Sequence, residues 1–296
     1  MSRQYFEATD VPHALSLLKE HPEAGIVAGG TDIVVGHRSG KRPLPETLVA
    51  IHRLHELQRI EALPDGTLKI GALVTHHQLQ TAPELRQRLI ALSDASALVG
   101  SPATRNAGTI GGNVANASPA MEVGSPLLVG DASVELTSSE GTRTVAFKEF
   151  VIGPAKTTRR PDELLTGVIL PPANAARQIS AYNRLEYRQA MEIAVVGAAV
   201  WLALENGHCV DARIAITAVA PTCVRAPEAE KVLKGQSLDG DRIDQAAKAA
   251  AAAARPIDDV RGSADYRRAM VPVIVRQALE RAVERAATRT KEALPA

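Results

Sequence analysis

The sequence predicts a mixed α+β protein in two parts, and three observations predict it. Short strand-like and helix-like segments are interspersed along the N-terminal part. The proline-rich break Pro171-Pro172-Ala173-Asn174-Ala175 then ends that pattern. Beyond it, Ile193 to Leu204 and Cys209 to Ala218 read as adjacent antiparallel strands, and helical stretches follow. A chain of 296 residues has room for two such domains, divided at the break into residues 1–175 and 176–290.

Each element has its own signal. Asp10 is placed to cap a helix and Pro12 suits its first turn; Ala14, Leu15, Leu17 and Leu18 follow at helical spacing, up to His21-Pro22. Gly25 to Ala28 reads as a short buried strand running into Gly29-Gly30-Thr31-Asp32, with Asp32 placed to cap a helix through Val35. Thr47 to Ile51 is a strand, and Ile60 to Leu63 pairs with Leu68 to Leu73 across the Asp65-Gly66 turn. Thr75 caps a short helix, and Pro83 to Leu98 is a longer one. Val99 to Ser118 has little periodicity and many Gly, Asn, Thr and Ser residues, so it reads as a long loop of the kind that carries function. A helix at Pro119 to Gly130 follows, then strands at Ala132 to Thr137, Arg143 to Ala146 and Leu164 to Leu170. Past the break, Glu205-Asn206-Gly207-His208 turns the two long strands. Helices are expected at Pro227 to Lys234, Arg242 to Ala254 and Ser263 to about Ala287, with a frayed tail after Thr288.

Composition excludes several classes. The net charge is +1 and no basic stripe occurs, which argues against a nucleic-acid partner. The first residues lack the apolar run of a secretory signal, and no stretch reaches the about 18 apolar residues of a membrane span. Two cysteines, Cys209 and Cys223, cannot make a disulfide framework, nor an intrinsic iron–sulfur cluster, which takes about four thiolates. A reducing cytoplasm is expected. The eight histidines show no zinc-type spacing; His76 and His77 are expected to be surface or locally bonded, and no metal site is expected.

Two segments carry chemistry. In Ile26-Val27-Ala28-Gly29-Gly30-Thr31-Asp32 a strand empties into two glycines, a hydroxyl and a helix start. Glycines remove the β-carbons that would collide with phosphate oxygens, and successive N–H groups can then point at the anion. A tight turn without ligand fits this segment equally well. Thr109-Ile110-Gly111-Gly112-Asn113 repeats the same chemistry inside the polar loop. Two such loops suit a cofactor gripped at two phosphates, and there is neither a G-x-G-x-x-G fingerprint nor a P-loop. Gly111→Val or Gly112→Val is expected to expel the cofactor, because the new side chains would fill phosphate space.

The stretch Arg105-Asn106-Ala107-Gly108-Thr109-Ile110-Gly111-Gly112-Asn113-Val114-Ala115-Asn116-Ala117-Ser118-Pro119 resembles the flavin-loop signature of the xanthine dehydrogenase and carbon monoxide dehydrogenase family. Ala28 to Asp32, Ile70-Gly71-Ala72, Pro161 to Leu165 and Ala190-Met191-Glu192-Ile193-Ala194 resemble it in the same order. The resemblance covers essentially the whole chain. It implies a two-lobed FAD-binding domain of the vanillyl-alcohol-oxidase/p-cresol-methylhydroxylase type, with lobes of about 1–55 and 56–175, and a small C-terminal domain of antiparallel sheet and helices. It implies FAD held at its diphosphate by Ile26 to Asp32 and Thr109 to Asn113. Glu122 falls where the family has a cofactor-contacting Asp, Leu165 at an apolar position by the flavin, and Arg184 at a Lys near the isoalloxazine. It implies a molybdenum hydroxylase complex in the cytoplasm, built as a dimer of heterotrimers. A large subunit carries the molybdopterin cofactor and a small one carries two [2Fe-2S] clusters; electrons pass from those clusters through this chain's FAD to an external acceptor.

No residue is assigned as acid, base, nucleophile or metal ligand. A stand-alone FAD oxidoreductase of the same fold is the alternative, and it needs a phenol or base over the flavin, for which Tyr182 and Tyr187 are the candidates. A structural subunit with decayed loops is a third reading, opposed by the intact glycines and Thr109. Asp162-Glu163 reads as a solvated turn, Arg159-Arg160 as solubility charge, and Val271, Ile274, Val275, Ala278 and Leu279 as core.

Overall fold

The computed structural model describes residues 3–40, 42–173, 177–188 and 190–292, and their side chains except at 177 and 289–292. Part of the proline-rich break, residues 174–176, lies outside the described residues. The chain forms two compact units. One takes Met1–Gln78, Pro102–Ala117 and Ala132–Pro172; the other takes Leu79–Ser101, Ser118–Asp131 and Ala173–Ala296.

The first unit holds two main sheets. Gln4–Glu7, Thr47–Ala50 and Gly25–Val27 form a parallel sheet with Thr47–Ala50 central. The helix Val11–Glu20 begins where Asp10 accepts the His13 N–H at 2.8 Å, and buries Ala14, Leu15, Leu17 and Leu18. The edge strand Gln4–Glu7 is mostly exposed and gave no alternation to read. Ile60–Ala62, Leu68–Gly71, Leu164–Leu170, Ser133–Ser138 and Gly141–Ala146 form, in that order, an antiparallel sheet. Its first hairpin turns where Asp65 Oδ1 accepts the Thr67 N–H at 2.9 Å and Gly66 takes φ +84°.

The expectation for Glu163 in this unit fails. Asp162 does lie in an exposed turn, but the Glu163 side chain is only 1% exposed. Its carboxylate accepts from Arg143 Nε at 2.6 Å, from Arg160 Nε at 3.0 Å and from the Arg160 N–H at 2.7 Å. Arg159 donates to the Glu163 carbonyl at 2.7 Å, so Arg159-Arg160 is structural and not mere solubility charge. The Arg143 hydrogen bond chiefly holds the Glu163 carboxyl at about 2, below its ordinary 4.5. A depressed carboxylate stabilises the fold above the unfolded value and loses that stabilisation as pH falls through the folded one. Wild type should therefore exceed Glu163→Gln by roughly 2–3 kcal/mol above pH 4.5, with the gap closing towards pH 2. Melting both proteins across that range checks this, and a pH-independent gap would contradict it.

The second unit is built on Arg177–Leu185, Val196–Glu205, His208–Thr217 and Val224–Arg225, hydrogen-bonded in that order, with Gln236–Ser237 beside His208–Thr217. Helices Ile90–Ala97 and Ala264–Glu292 pack on Arg177–Leu185. That nine-residue strand was not foreseen. Buried along most of its length, it lacks the polar–apolar alternation that marks a half-exposed strand. Asp94 clamps it, accepting from the Tyr182 N–H at 3.1 Å and from Arg285 at 2.7 Å. The apolar face Val271, Ile274, Val275, Ala278 and Leu279 is core, as expected.

Two predicted helices come out shorter. Pro83 to Leu98 breaks into Pro83–Arg88 and Ile90–Ala97 at Leu89, whose φ of −149° lets Leu85, Leu89 and Leu92 all bury. Pro119 to Gly130 shrinks to Gly124–Val129, because Ser118 ties up the next residues: its hydroxyl accepts from Ala120 N–H and its carbonyl from Met121 N–H. No helix among the described residues is long and apolar enough to cross a membrane.

Candidate functional site

The first glycine segment leaves the parallel sheet at Val27, whose carbonyl accepts the Ile51 N–H at 2.9 Å. The chain then turns through Ala28 to Asp32 into the helix Ile33–Arg38. Gly30 takes φ +69°, a left-handed conformation that side chains other than glycine's disfavour. A β-carbon on Gly29 would lie 1.7 Å from the Ala107 carbonyl oxygen, so the two glycine segments touch backbone to backbone there. Among the described residues, the N–H groups of Gly29, Gly30, Thr31 and Asp32 donate to no protein acceptor. Consecutive free donors beside a left-handed residue make the backbone nest that binds anions. Asp32 stands at the helix N-cap but makes no side-chain cap bond, contrary to expectation.

The second segment is not the long loop predicted. Pro102–Ala107 and Ile110–Asn116 are helices, short enough that seven residues rich in Gly and Asn show no apolar period. Thr109 caps the latter, its hydroxyl accepting the Gly112 N–H at 3.1 Å. The Ile110 N–H donates to Val74 O and that of Gly111 to Ala72 O, both at 2.9 Å, while the Asn113 N–H donates to Thr109 O at 3.0 Å. The N–H groups of Ile110, Gly111, Gly112 and Asn113 are thus spent inside the protein; among the described residues only that of Thr109 in this segment lacks a protein acceptor, whereas all four from Gly29 to Asp32 do. What the second offers is the exposed Gly112 and the Asn113 Oδ1, buried and without a partner. A β-carbon on Gly111 would meet Ala72 Cβ and O at 2.7 Å, so Gly111→Val clashes with the protein's own backbone, not with phosphate space. Leu165 is buried on Leu164–Leu170 of the same unit.

Glu122 and Arg184 lie in the other unit and pair at 2.6 Å, the carboxylate 6% and the guanidinium residue 8% exposed. The second Glu122 oxygen accepts from the fully buried Tyr182 hydroxyl. Arg184 also donates through Nε to Glu186 at 2.7 Å. Burial pushes the Glu122 carboxyl above its ordinary range, and Arg184 and Tyr182 pull it back. Arg184 is therefore a cation between two carboxylates and not a free positive charge.

Residues 1–173 match the family model of the FAD binding domain in molybdopterin dehydrogenase, and residues 180–282 that of the CO dehydrogenase flavoprotein C-terminal domain. The chain belongs to this family of molybdenum hydroxylase FAD subunits. The carbon monoxide dehydrogenase medium chain of Afipia carboxidovorans is 36% identical over 96% of this chain and 98% of that relative. The xanthine dehydrogenase FAD-binding subunit of Escherichia coli O157:H7 is 30% identical over 94% and 95%. The solved carbon monoxide dehydrogenase of Hydrogenophaga pseudoflava that lacks the Mo-pyranopterin moiety superposes with a TM-score of 0.90 at 32% identity, covering 96% of this chain and 98% of that one. The fold of this flavoprotein is accordingly the two-lobed FAD-binding domain with the small C-terminal sheet-and-helix domain.

The first segment fits the family's cofactor on its own chemistry, as free donors and a glycine-bared turn suit a diphosphate, and the orphaned Asn113 oxygen suits a hydroxyl-bearing ligand. Sequence reasoning missed two residues of this flavoprotein. Tyr182 was considered only as a phenol over the flavin, since its partner Glu122 is remote in sequence. His76 was expected at the surface or locally bonded, yet it is 2% exposed. The available signal was Thr75-x-x-Gln78, a capping box that fixes His76 as the first residue of His76–Thr81. Among the described residues no three His, Cys, Asp or Glu side chains gather as a metal site.

Proposed function

We propose that this chain binds one FAD with the diphosphate on Gly29 to Asp32, and that the free N–H groups of that segment are what hold it. Thr31 adds a hydroxyl, and Ile26, Val27 and Ala28 form the strand end from which the segment springs. Thr109, Ile110, Gly111 and Gly112 brace it, since Gly29 packs on the backbone just before Thr109. Asn113 offers its unpartnered oxygen to the cofactor. Leu165, Glu122 and Arg184 are carried over as flavin-side contacts, the last two as the ion pair described above. Bound flavin takes electrons singly and releases them in pairs, which no side chain of this protein can do. Electrons arrive from the iron–sulfur clusters of a small subunit, fed by a large molybdopterin subunit, and leave to an external acceptor. A dimer of heterotrimers in the cytoplasm is the proposed setting; two free, buried cysteines agree with a reducing compartment. The division at residue 175 is supported by the bounds of the two family models.

The stand-alone alternative loses its candidates. The Tyr182 hydroxyl is buried and committed to Glu122, and that of Tyr187 donates to the Arg261 carbonyl at 2.7 Å. Purified chain should show flavin absorption and about one FAD released on denaturation. Iron and molybdenum should appear only with co-purified partners. Flavin-free protein after incubation with excess FAD would overturn the reading.

A further inference from the structure

We propose that His76 is a further binding residue of the dinucleotide site, its Nδ1 completed by a diphosphate oxygen when FAD is bound. The inference rests on the flavin reading above. His76 stands where the two glycine segments meet: its N–H donates to Gly108 O at 3.0 Å. A β-carbon at Gly108 would lie 3.3 Å from the His76 ring carbon Cδ2 and 3.4 Å from Thr31 Oγ1, so the imidazole and the Thr31 hydroxyl flank the same point. Nδ1 is buried and has no hydrogen-bond partner. Native structures rarely keep a buried ring nitrogen unpaired, because the loss of its hydration is left uncompensated. The ligand that comes to this junction is the one seated on the free donors of Gly29 to Asp32. Burial, and after it Arg105, hold the imidazole near 4, so it is neutral in ordinary buffers and serves, as the tautomer with the proton on Nδ1, as a hydrogen-bond donor to the oxygen and not as a charge.

The test uses the full-length chain stripped of flavin and titrated with FAD and, separately, with ADP, which shares the diphosphate. His76→Leu should weaken both ligands about ten-fold, the size of a hydrogen bond to a charged group, while the melting temperature of the flavin-free chain stays level or rises. His76→Asn, whose amide nitrogen reaches the place of Nδ1, should restore most of the affinity. Unchanged FAD affinity in His76→Leu, or a loss of flavin-free stability with affinity intact, overturns the proposal. Should His76→Leu fail to fold, nitrogen NMR of wild-type His76 decides: Nδ1 must shift on saturation with FAD, and an unmoved signal overturns it. A wild-type chain that binds no FAD overturns the flavin reading and this inference with it.

Discussion

Gly29→Ala is expected to strip the chain of flavin and to destabilise it by about 3 kcal/mol or more, at or beyond the upper end of ordinary overpacking. The added β-carbon would sit 1.7 Å from the Ala107 carbonyl oxygen and 2.5 Å from its carbon. Both obstacles are backbone, so no rotamer change relieves them. The two segments must separate, and the free donors of Gly29 to Asp32 move with them. Gly112→Ala is the matched control. That glycine is exposed, its β-carbon would meet only Thr109 Oγ1 at 3.1 Å, and it lies within a helix, where alanine is favoured by up to about 1 kcal/mol. FAD content per chain and melting temperature read both variants. A Gly29→Ala protein with wild-type flavin and stability would show that the contact is not a constraint.

The contrast shows where sequence reading ran out. Gly29-Gly30 and Gly111-Gly112 look alike as text, and both segments were legible as glycine-bared because glycine is a local signal. Their difference is tertiary. Gly111 lies against Ala72 and the neighbouring N–H groups are taken up by Val74 and Ala72, partners that nothing in the local sequence names. Helices with caps were legible for the same local reason: Asp10 and Thr75 announce Val11–Glu20 and His76–Thr81. Leu89 interrupts a helix without Gly or Pro, by packing alone, and was not. Arg177–Leu185 escaped because burial erased its alternation, and with it went the setting of Tyr182 and Arg184. Glu163 was misjudged because Arg143, which neutralises it, lies on a strand twenty residues earlier.

Arg184→Met should destabilise the chain by about 3–5 kcal/mol, the second large effect, because it takes the counter-charge from a buried carboxyl, which must then either stay charged with Tyr182 as its one partner or take up a proton. Glu122→Gln should be milder. The amide still accepts from Arg184 and can donate to the Tyr182 oxygen, and Arg184 keeps Glu186 as counter-charge. Removing both charges, as Glu122→Met with Arg184→Met, should recover much of the stability lost in Arg184→Met, since the desolvation of two ions disappears with them; Glu186, a quarter exposed, can turn to water. Denaturant unfolding of four proteins, wild type, Glu122→Met, Arg184→Met and the double variant, gives the coupling directly. A double variant as unstable as the sum of the singles would mean that the two groups do not act as a pair. The same four proteins separate packing from cofactor contact. If the pair is only a clamp, flavin affinity and spectrum return with stability in the double variant. If it faces the isoalloxazine, as the likeness to the family implies, both stay altered in a protein that folds well, because one cation and one carboxylate have been taken from the flavin's surroundings.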